Sequence, residues 1–277
     1  MASTRFELLG RLCGYFCDDC QTPLAGATLR IYRPAPGSNT TALAVAHPKE
    51  TFAILSDEQV AEKKSRLLAE AVIADDGSFR VLLGDKQTYA GEAVEIDVHC
   101  GTMKFNGAPP PSPNVQFSAT TLQPMWRQRE GAAVAVFEYC LSSRYWCAVL
   151  ARLGLWVICG RLTTCAKPTL PIASATVKAF DVDWLQTDVL GSAVTDANGQ
   201  FTIYYTRAQF DRTIFSPLIN LEWTGGPDVY FRVEAAGAPI LVEPPSKGRT
   251  PGRENVGHCL CVALCTDDVP NTNPEKD

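Results

Sequence analysis

A chain of 277 residues exceeds one ordinary β-sandwich and suits two modules of roughly 120 residues, each able to bury its own core. Hydrophobic residues make up 46% of the chain, a globular composition, and the formal net charge of -5 is spread along it. With no basic stripe to meet a phosphate backbone, nucleic acid is not an expected partner.

Met1 to Leu9 shows no basic stretch followed by an apolar run of roughly 7 to 15 residues. The expectation is cytoplasmic synthesis without a Sec signal, with non-classical release into an extracellular assembly as the route outward. The most apolar region, Ala132 to Gly160, is broken by Glu138, Arg144 and Arg152, and no uncharged run in it reaches the roughly 18 residues of a membrane span. Eleven cysteines are an odd set, so at least one has no partner within a monomer. In a reducing cytosol they are expected as core thiols, and outside it some would oxidise.

Taken in order, Phe6 to Leu12 is an alternating strand ending in Gly10-Arg11-Leu12, followed by a loop with Cys13, Cys17 and Cys20. A turn at Pro23 leads into a strand through Tyr32. An insert follows, Arg33 to Leu68. It is loop-like through Thr41, and then Ser56 with Gln59 fits a capping box that opens a helix from Asp57 to about Leu68. Val60, Leu67 and Leu68 share one side of that helix, and Glu62 and Arg66 stand at i,i+4 spacing. Ala71 to Val81 is two alternating arms joined through Asp75-Asp76-Gly77, a predicted hairpin in which Gly77 supplies positive φ. Val94 to Cys100 alternates as a half-buried strand. A second insert, Gly101 to Pro113, carries Pro109, Pro110 and Pro111. Ala132 to Cys140 closes the first round, and Ser143 to Leu155 is a predicted short helix with Trp146, Val149, Leu150 and Leu153 on one side.

The order then repeats. Trp156 to Leu162 again ends in Gly-Arg-Leu, Pro171 to Phe180 is again turn then strand, and Ala193 to Ile203 again joins two arms, here through Asp196-Ala197-Asn198-Gly199. An insert from Arg207 to Asp228 holds Phe210, Phe215, Leu218 and Trp223. Val229 to Ala235 matches Val94 to Cys100, and Gly257 to Cys265 matches Ala132 to Cys140. The fold expected is all-β: two tandem antiparallel Greek-key β-sandwich domains, 1–142 and 156–267. A short helix is inserted in the first, a helical linker spans 143–155, and 268–277 is a mobile tail.

The motif order adds a resemblance. A Gly-Arg-Leu strand, a Pro-x-x-x-Ala-x-Val strand, Thr195-Asp196-Ala197-Asn198-Gly199-Gln200-Phe201 and Val229-Tyr230-Phe231-Arg232-Val233 resemble the carboxypeptidase regulatory-like, or transthyretin-like (prealbumin-like), β-sandwich. Residues 156–267 carry most of the match, while in 6–142 Ala74 stands where Asp196 does and the inserts are long. The resemblance implies Greek-key modules of about seven strands, accessory rather than catalytic, used for binding, spacing and assembly.

Cys13, Cys17 and Cys20 have the Cys-x3-Cys-x2-Cys spacing that resembles the iron–sulfur loop of radical S-adenosylmethionine enzymes, but the strands around them do not fit that fold. Zinc there would need a fourth ligand such as His99 or Cys100. No cofactor is therefore expected, and these three are the weak metal candidates. The other cysteines occupy hydrophobic slots in the repeat comparison: Cys159 matches Leu9, Cys259 matches Val134, Cys261 matches Val136, Cys265 matches Cys140 and Cys100 matches Ala235. Core packing is expected for them, and in the first loop a Cys17–Cys20 or Cys13–Cys20 disulfide is the alternative to a metal. His47, His99 and His258 do not form the two-tyrosine, two-histidine iron set of the intradiol dioxygenases, and His99 and His258 read as ordinary strand residues. Asp196 and Asn198 offer too few oxygens for calcium and are explained by turn chemistry. No nucleophile or phosphate-loop motif is present.

The reading is therefore a non-enzymatic structural or protein-interaction subunit, with protein partners or self-association. Phe215, Trp223 and Pro110 lie in the loops that would meet a partner, although such loops also serve to cover sandwich ends. A glycan-binding accessory role would use exposed aromatics at Trp223, Tyr230 or Trp184, and a metal or redox role would use Cys13, Cys17 and Cys20.

Overall fold

In the computed structural model, the residues described are 5–17, 20–36, 52–84, 88–106, 108, 114–129, 131–182, 187–210 and 225–268. They form two compact units, Met1–Lys104 with Pro110–Leu153, and Phe105–Pro109 with Gly154–Asp277.

The first unit is built from β1 (Arg5–Tyr15), β2 (Gln21–Pro23), β3 (Thr28–Tyr32), β4 (Ala53–Ile54), helix α1 (Asp57–Lys63), β5 (Leu67–Val72), β6 (Ser78–Leu83), β7 (Val94–His99), β8 (Gln116–Leu122), β9 (Arg127–Arg129), β10 (Ala132–Leu141) and helix α2 (Ser143–Arg152). In one sheet β1 is flanked by β10 on one side and by β6 and β2 on the other, with β9 outside β10. The second sheet runs β4-β8-β7-β3-β5. The second unit comprises β11 (Leu155–Thr163), β12 (Thr176–Val182), β13 (Thr187–Val194), β14 (Gln200–Thr206), β15 (Val229–Ala235), β16 (Ala238–Val242) and β17 (Cys259–Cys265). Its sheets run β14-β11-β17 and β13-β12-β15-β16. Ile158, Phe201 and Leu260 of the first and Val177, Leu190 and Phe231 of the second meet in one buried core.

The wiring is the same in both units, β6-β1-β10 matching β14-β11-β17 and β5-β3-β7-β8 matching β13-β12-β15-β16. Register agrees residue by residue. Gly10 lies opposite Phe137 and Gly160 opposite Val262, which aligns Ala132–Cys140 with Gly257–Cys265 as the sequence comparison does.

Two features depart from the expected pattern. First, although the other pairings are antiparallel, the first and last strands of each unit pair in parallel, from Arg5↔Ala132 to Gly14↔Leu141 and from Val157↔Cys259 to Thr163↔Cys265. Second, the two Gly turns do not close hairpins. They form tight turns, with Ala74 N–H donating to Ser78 O at 2.8 Å and Asp196 N–H to Gln200 O at 2.9 Å. Beyond the turn, however, β5 bonds β3 while β6 bonds β1, and β13 bonds β12 while β14 bonds β11. Each turn is a corner where the chain passes from one sheet to the other. Alternation puts every second side chain on one face, and two arms facing each other across a core satisfy it as well as two paired arms do.

Helix α1 has the expected capping box, Ser56 Oγ accepting from Gln59 N–H and Gln59 Oε1 accepting from Ser56 N–H. It stops at Lys63, not near Leu68, because Leu67 to Val72 are drawn into the ladder with β3 after a single 3₁₀ turn. Arg66 accordingly points to Glu95 rather than pairing along a helix with Glu62. In α2 the predicted side is buried, with Trp146, Val149, Leu150 and Leu153 each 2% exposed or less. The Trp146 indole lies against Gly14, where an added Cβ would sit 2.6 Å from Cγ of the ring.

The shared Gly-Arg-Leu is explained by this geometry. Leu12 and Leu162 are fully buried, and their N–H groups donate to Gly77 O and Gly199 O, at 2.9 and 2.8 Å. The Arg11 and Arg161 Nε groups donate to the same turns, at Asp76 O (2.8 Å) and Asn198 O (3.0 Å). Gly77 and Gly199 have φ of 85° and 72°, a region that L side chains rarely adopt. Gly10 and Gly160 permit the close approach of the last strand: a Cβ at Gly10 would overlap the Phe137 carbonyl, and one at Gly160 would lie 2.6 Å from Val262 O and 2.7 Å from the Phe201 ring. Gly10→Ala and Gly160→Ala are expected to destabilise their own units by about 1–3 kcal/mol through overpacking. Urea unfolding followed by the tryptophans of each unit checks this.

Candidate functional site

Ten of the eleven cysteines are in disulfides, and Cys100 is the one that is not. The expected core thiols are thereby corrected for Cys159, Cys259, Cys261 and Cys265, which are among the bonded ten. The repeat comparison correctly puts them in strands, but an apolar slot does not distinguish a packed thiol from a bonded sulfur. Cys13 pairs with Cys140, not with Cys20, because the parallel register sets these two residues side by side at the end of β1 and β10. Gln21 Nε2 lies over this bridge, 2.8 Å from Cys13 Sγ and 3.1 Å from Cys140 Sγ. In the second unit Cys165, in the loop after β11, pairs with Cys265 at the end of β17. Cys140 and Cys265 are equivalent positions, so each unit ties the same point of its last strand either to the end of its first strand, at Cys13, or to the loop just after it, at Cys165. The bridges span 127 and 100 residues of sequence, nearly the whole of each unit.

Cys17 and Cys20, whose sulfurs lie within 4.8 Å of each other, are also disulfide-bonded. Disulfide sulfurs are not thiolates, so metal ligation by Cys13, Cys17 and Cys20 requires prior reduction. Among the described residues, neither His99 nor Cys100 joins them in a set of donors close enough to share an ion. His99 is half-buried in β7, and burial, with Arg30 nearby, holds its pKa below the usual histidine value. The His258 ring stacks on Trp156 with centroids 3.9 Å apart, its Nδ1 2.8 Å from Leu155 O. The loop residues Phe215, Trp223 and Pro110, together with Trp184, His47 and the tail after Asp268, lie outside the described residues. Tyr230 is fully buried and stacks on Phe180, so it offers no exposed platform for a glycan.

A buried charge cluster escaped the sequence reading. On β7, Glu95 and Asp97 stand on the face of the sheet away from Ile96, beside Tyr32 and Arg30 of β3. Lys63, at the end of α1, reaches them. Its Nζ lies 2.8 and 2.7 Å from the two Asp97 oxygens and 3.0 Å from Glu95 Oε2. Asp97 is fully buried and Lys63 is 8% exposed. Gln116 Nε2 donates to Asp97 Oδ2 at 2.8 Å, and its Oε1 accepts from Arg30 Nη1 at 2.6 Å. Burial pushes the Asp97 carboxyl above the ordinary carboxylate range, opposed by the Lys63 charge and by hydrogen bonds from Lys63, Gln116 and Ser118. The one hint in the sequence was Lys63 beside acids at alternate β7 positions, but a helix of unknown docking gives no reason to connect them.

No protein-family model matches the chain, and no curated protein matches it. Among solved structures, the 9R-lipoxygenase from Cyanothece PCC8801 is 19% identical over 44% of this chain and 18% of that one, with a TM-score of 0.29. The Bacillus anthracis TIE protein is 9% identical over 73% of this chain and 27% of its own, TM-score 0.24. The shaft pilin SpaA from Lactobacillus rhamnosus GG is 11% identical over 74% of this chain and 84% of its own, TM-score 0.26. The chain thus spans less than a third of the first two, and overlaps this slight carry no functional inference. Among the described residues, no helix is long and apolar enough to cross a membrane.

Cys140→Ser and Cys265→Ser are each expected to lower the stability of their unit by about 2–5 kcal/mol, because each opens a loop spanning most of a module. Thermal unfolding with and without reductant checks this, reductant bringing the wild type down to the level of the double variant or below.

Proposed function

We propose that the protein is a non-catalytic structural subunit whose two sandwiches transmit tension along the chain in an oxidising compartment. The observation that carries this reading is the parallel, disulfide-tied pairing of first and last strands. The chain enters the first unit at the start of β1 and leaves at the end of β10, opposite ends of one parallel ladder. Pulling on the termini therefore shears all the ladder hydrogen bonds together instead of opening them one at a time. The Cys13–Cys140 and Cys165–Cys265 bonds sit at the exit ends of the ladders and carry the load covalently past the interior of each unit. Ten cysteines in disulfides support an oxidising setting, since reducing compartments keep thiols free. Partner contacts through the long inserts, including Phe215, Trp223 and Pro110, belong to the same reading.

Single-molecule stretching from the two termini tests it. Oxidised protein is expected to show no lengthening from the 127- and 100-residue segments closed by the bridges. Reductant is expected to release steps of about 45 nm and about 35 nm, at roughly 3.5 Å per residue. Full extension of either unit in the oxidised state, or turnover of a substrate by the purified protein, overturns the proposal.

A further inference from the structure

The bridges from Cys140 and Cys265 differ in their surroundings. Cys13 is 1% exposed and Cys140 is half-buried, and the Gln21 amide lies over both sulfurs. Cys165 and Cys265 are both exposed. Of the ten bonded cysteines only Cys261 is exposed besides these two, so Cys165–Cys265 is the one bridge open to solvent at both ends. Hydrogen bonds hold the same two segments together without it. Thr266 N–H donates to Thr163 O at 3.1 Å, and Ala166 N–H donates to Asp267 Oδ1 at 2.9 Å. The loop that carries Cys165 is also closed on itself, Thr164 N–H donating to Leu170 O at 3.1 Å and Leu170 N–H to Lys167 O at 2.8 Å. Breaking the S–S bond therefore leaves the two sulfurs within reach of each other.

We propose that Cys165–Cys265 is a thiol-exchange site, opened and reclosed by a small thiol while the second unit stays folded. A thiolate bonds to one Sγ, and the S–S bond breaks with its electron pair passing to the other Sγ, which takes a proton from water. A second thiolate attacks the small-molecule sulfur of the mixed disulfide and releases the first Sγ, which is protonated in turn. Two electrons reduce the bridge, and two small thiols leave as one small disulfide. The reverse sequence, with the small disulfide as oxidant, closes the bridge again. The Cys13–Cys140 bridge is withheld from this chemistry until the first unit opens locally. In the tension-bearing reading, on which this consequence rests, exchange turns one closed segment of 100 residues into reserve length and leaves the other unit locked.

Reduced glutathione added to the native protein under nitrogen, with iodoacetamide trapping at timed intervals and peptide mapping, tests the site. Cys165 and Cys265 are expected to be trapped together, at least about tenfold faster than Cys13 and Cys140, because a buried bridge must first open. Near-ultraviolet circular dichroism is expected to stay unchanged, and oxidised glutathione added before trapping is expected to restore the bridge. Trapping of Cys13 and Cys140 at the same rate or faster overturns the proposal, as does loss of the near-ultraviolet signal in step with trapping of Cys165. At the glutathione concentration that opens only this bridge, stretching is expected to release the step of about 35 nm without the step of about 45 nm. Selective trapping without that step overturns the tension-bearing reading and leaves the exchange site standing.

Discussion

The close approach of two backbones at Gly10 and Gly160 is the constraint on which each unit depends. With no side chain on the first strand at that point, the last strand lies parallel against it along its length, and Phe79 or Phe201 closes over the gap. The neighbouring Arg and Leu then fix the corner turn from the same strand, so one tripeptide sets both the last strand and the crossing between sheets. The Cys13–Cys140 disulfide follows from this arrangement, because the parallel register sets residue 13 beside residue 140.

Much of this was legible in the chain, and the limits have a common cause. Alternation and turn residues announced the strands, the repeated motif announced the duplication, and the capping box at Ser56 and Gln59 announced α1. These signals are local. They state which face a residue takes but not which strand lies beside it, so the corner turns read as hairpins and the parallel pairing was not visible. The cysteines failed for the same reason: Cys159 and Cys261 sit in apolar slots, and a slot on one strand does not say which sulfur comes beside it. Asp97 looked like the solvent half of a half-buried strand. It is buried because α1 ends over it, a tertiary fact with no periodicity of its own.

The two units show how one scaffold diverges. Where the first has Glu95 and Asp97, the second has Tyr230 and Arg232, and where the first has Tyr32 and Arg30 the second has Phe180 and Lys178. Arg232 lies 5.2 Å from the Phe180 ring centre, and Lys178 pairs with Glu234 at 2.7 Å. The first unit covers this face with a helix and a buried ionic cluster, the second with stacked aromatics and partly exposed ion pairs. The wiring tolerates either solution because the outer face of the sheet takes no part in the Gly-Arg-Leu contacts.

Cys100, at the end of β7, is fully buried, and burial pushes its thiol up to about 12. At any ordinary pH it is therefore not a thiolate and not a nucleophile. For a chain with an odd number of cysteines this settles a kinetic problem. Once the β7 end has docked, the eleventh sulfur is withdrawn from exchange and only an even set remains for the oxidant. Assembly of the sheet around β7 before oxidation would therefore favour correct pairing, because it removes the odd sulfur from the set that can exchange.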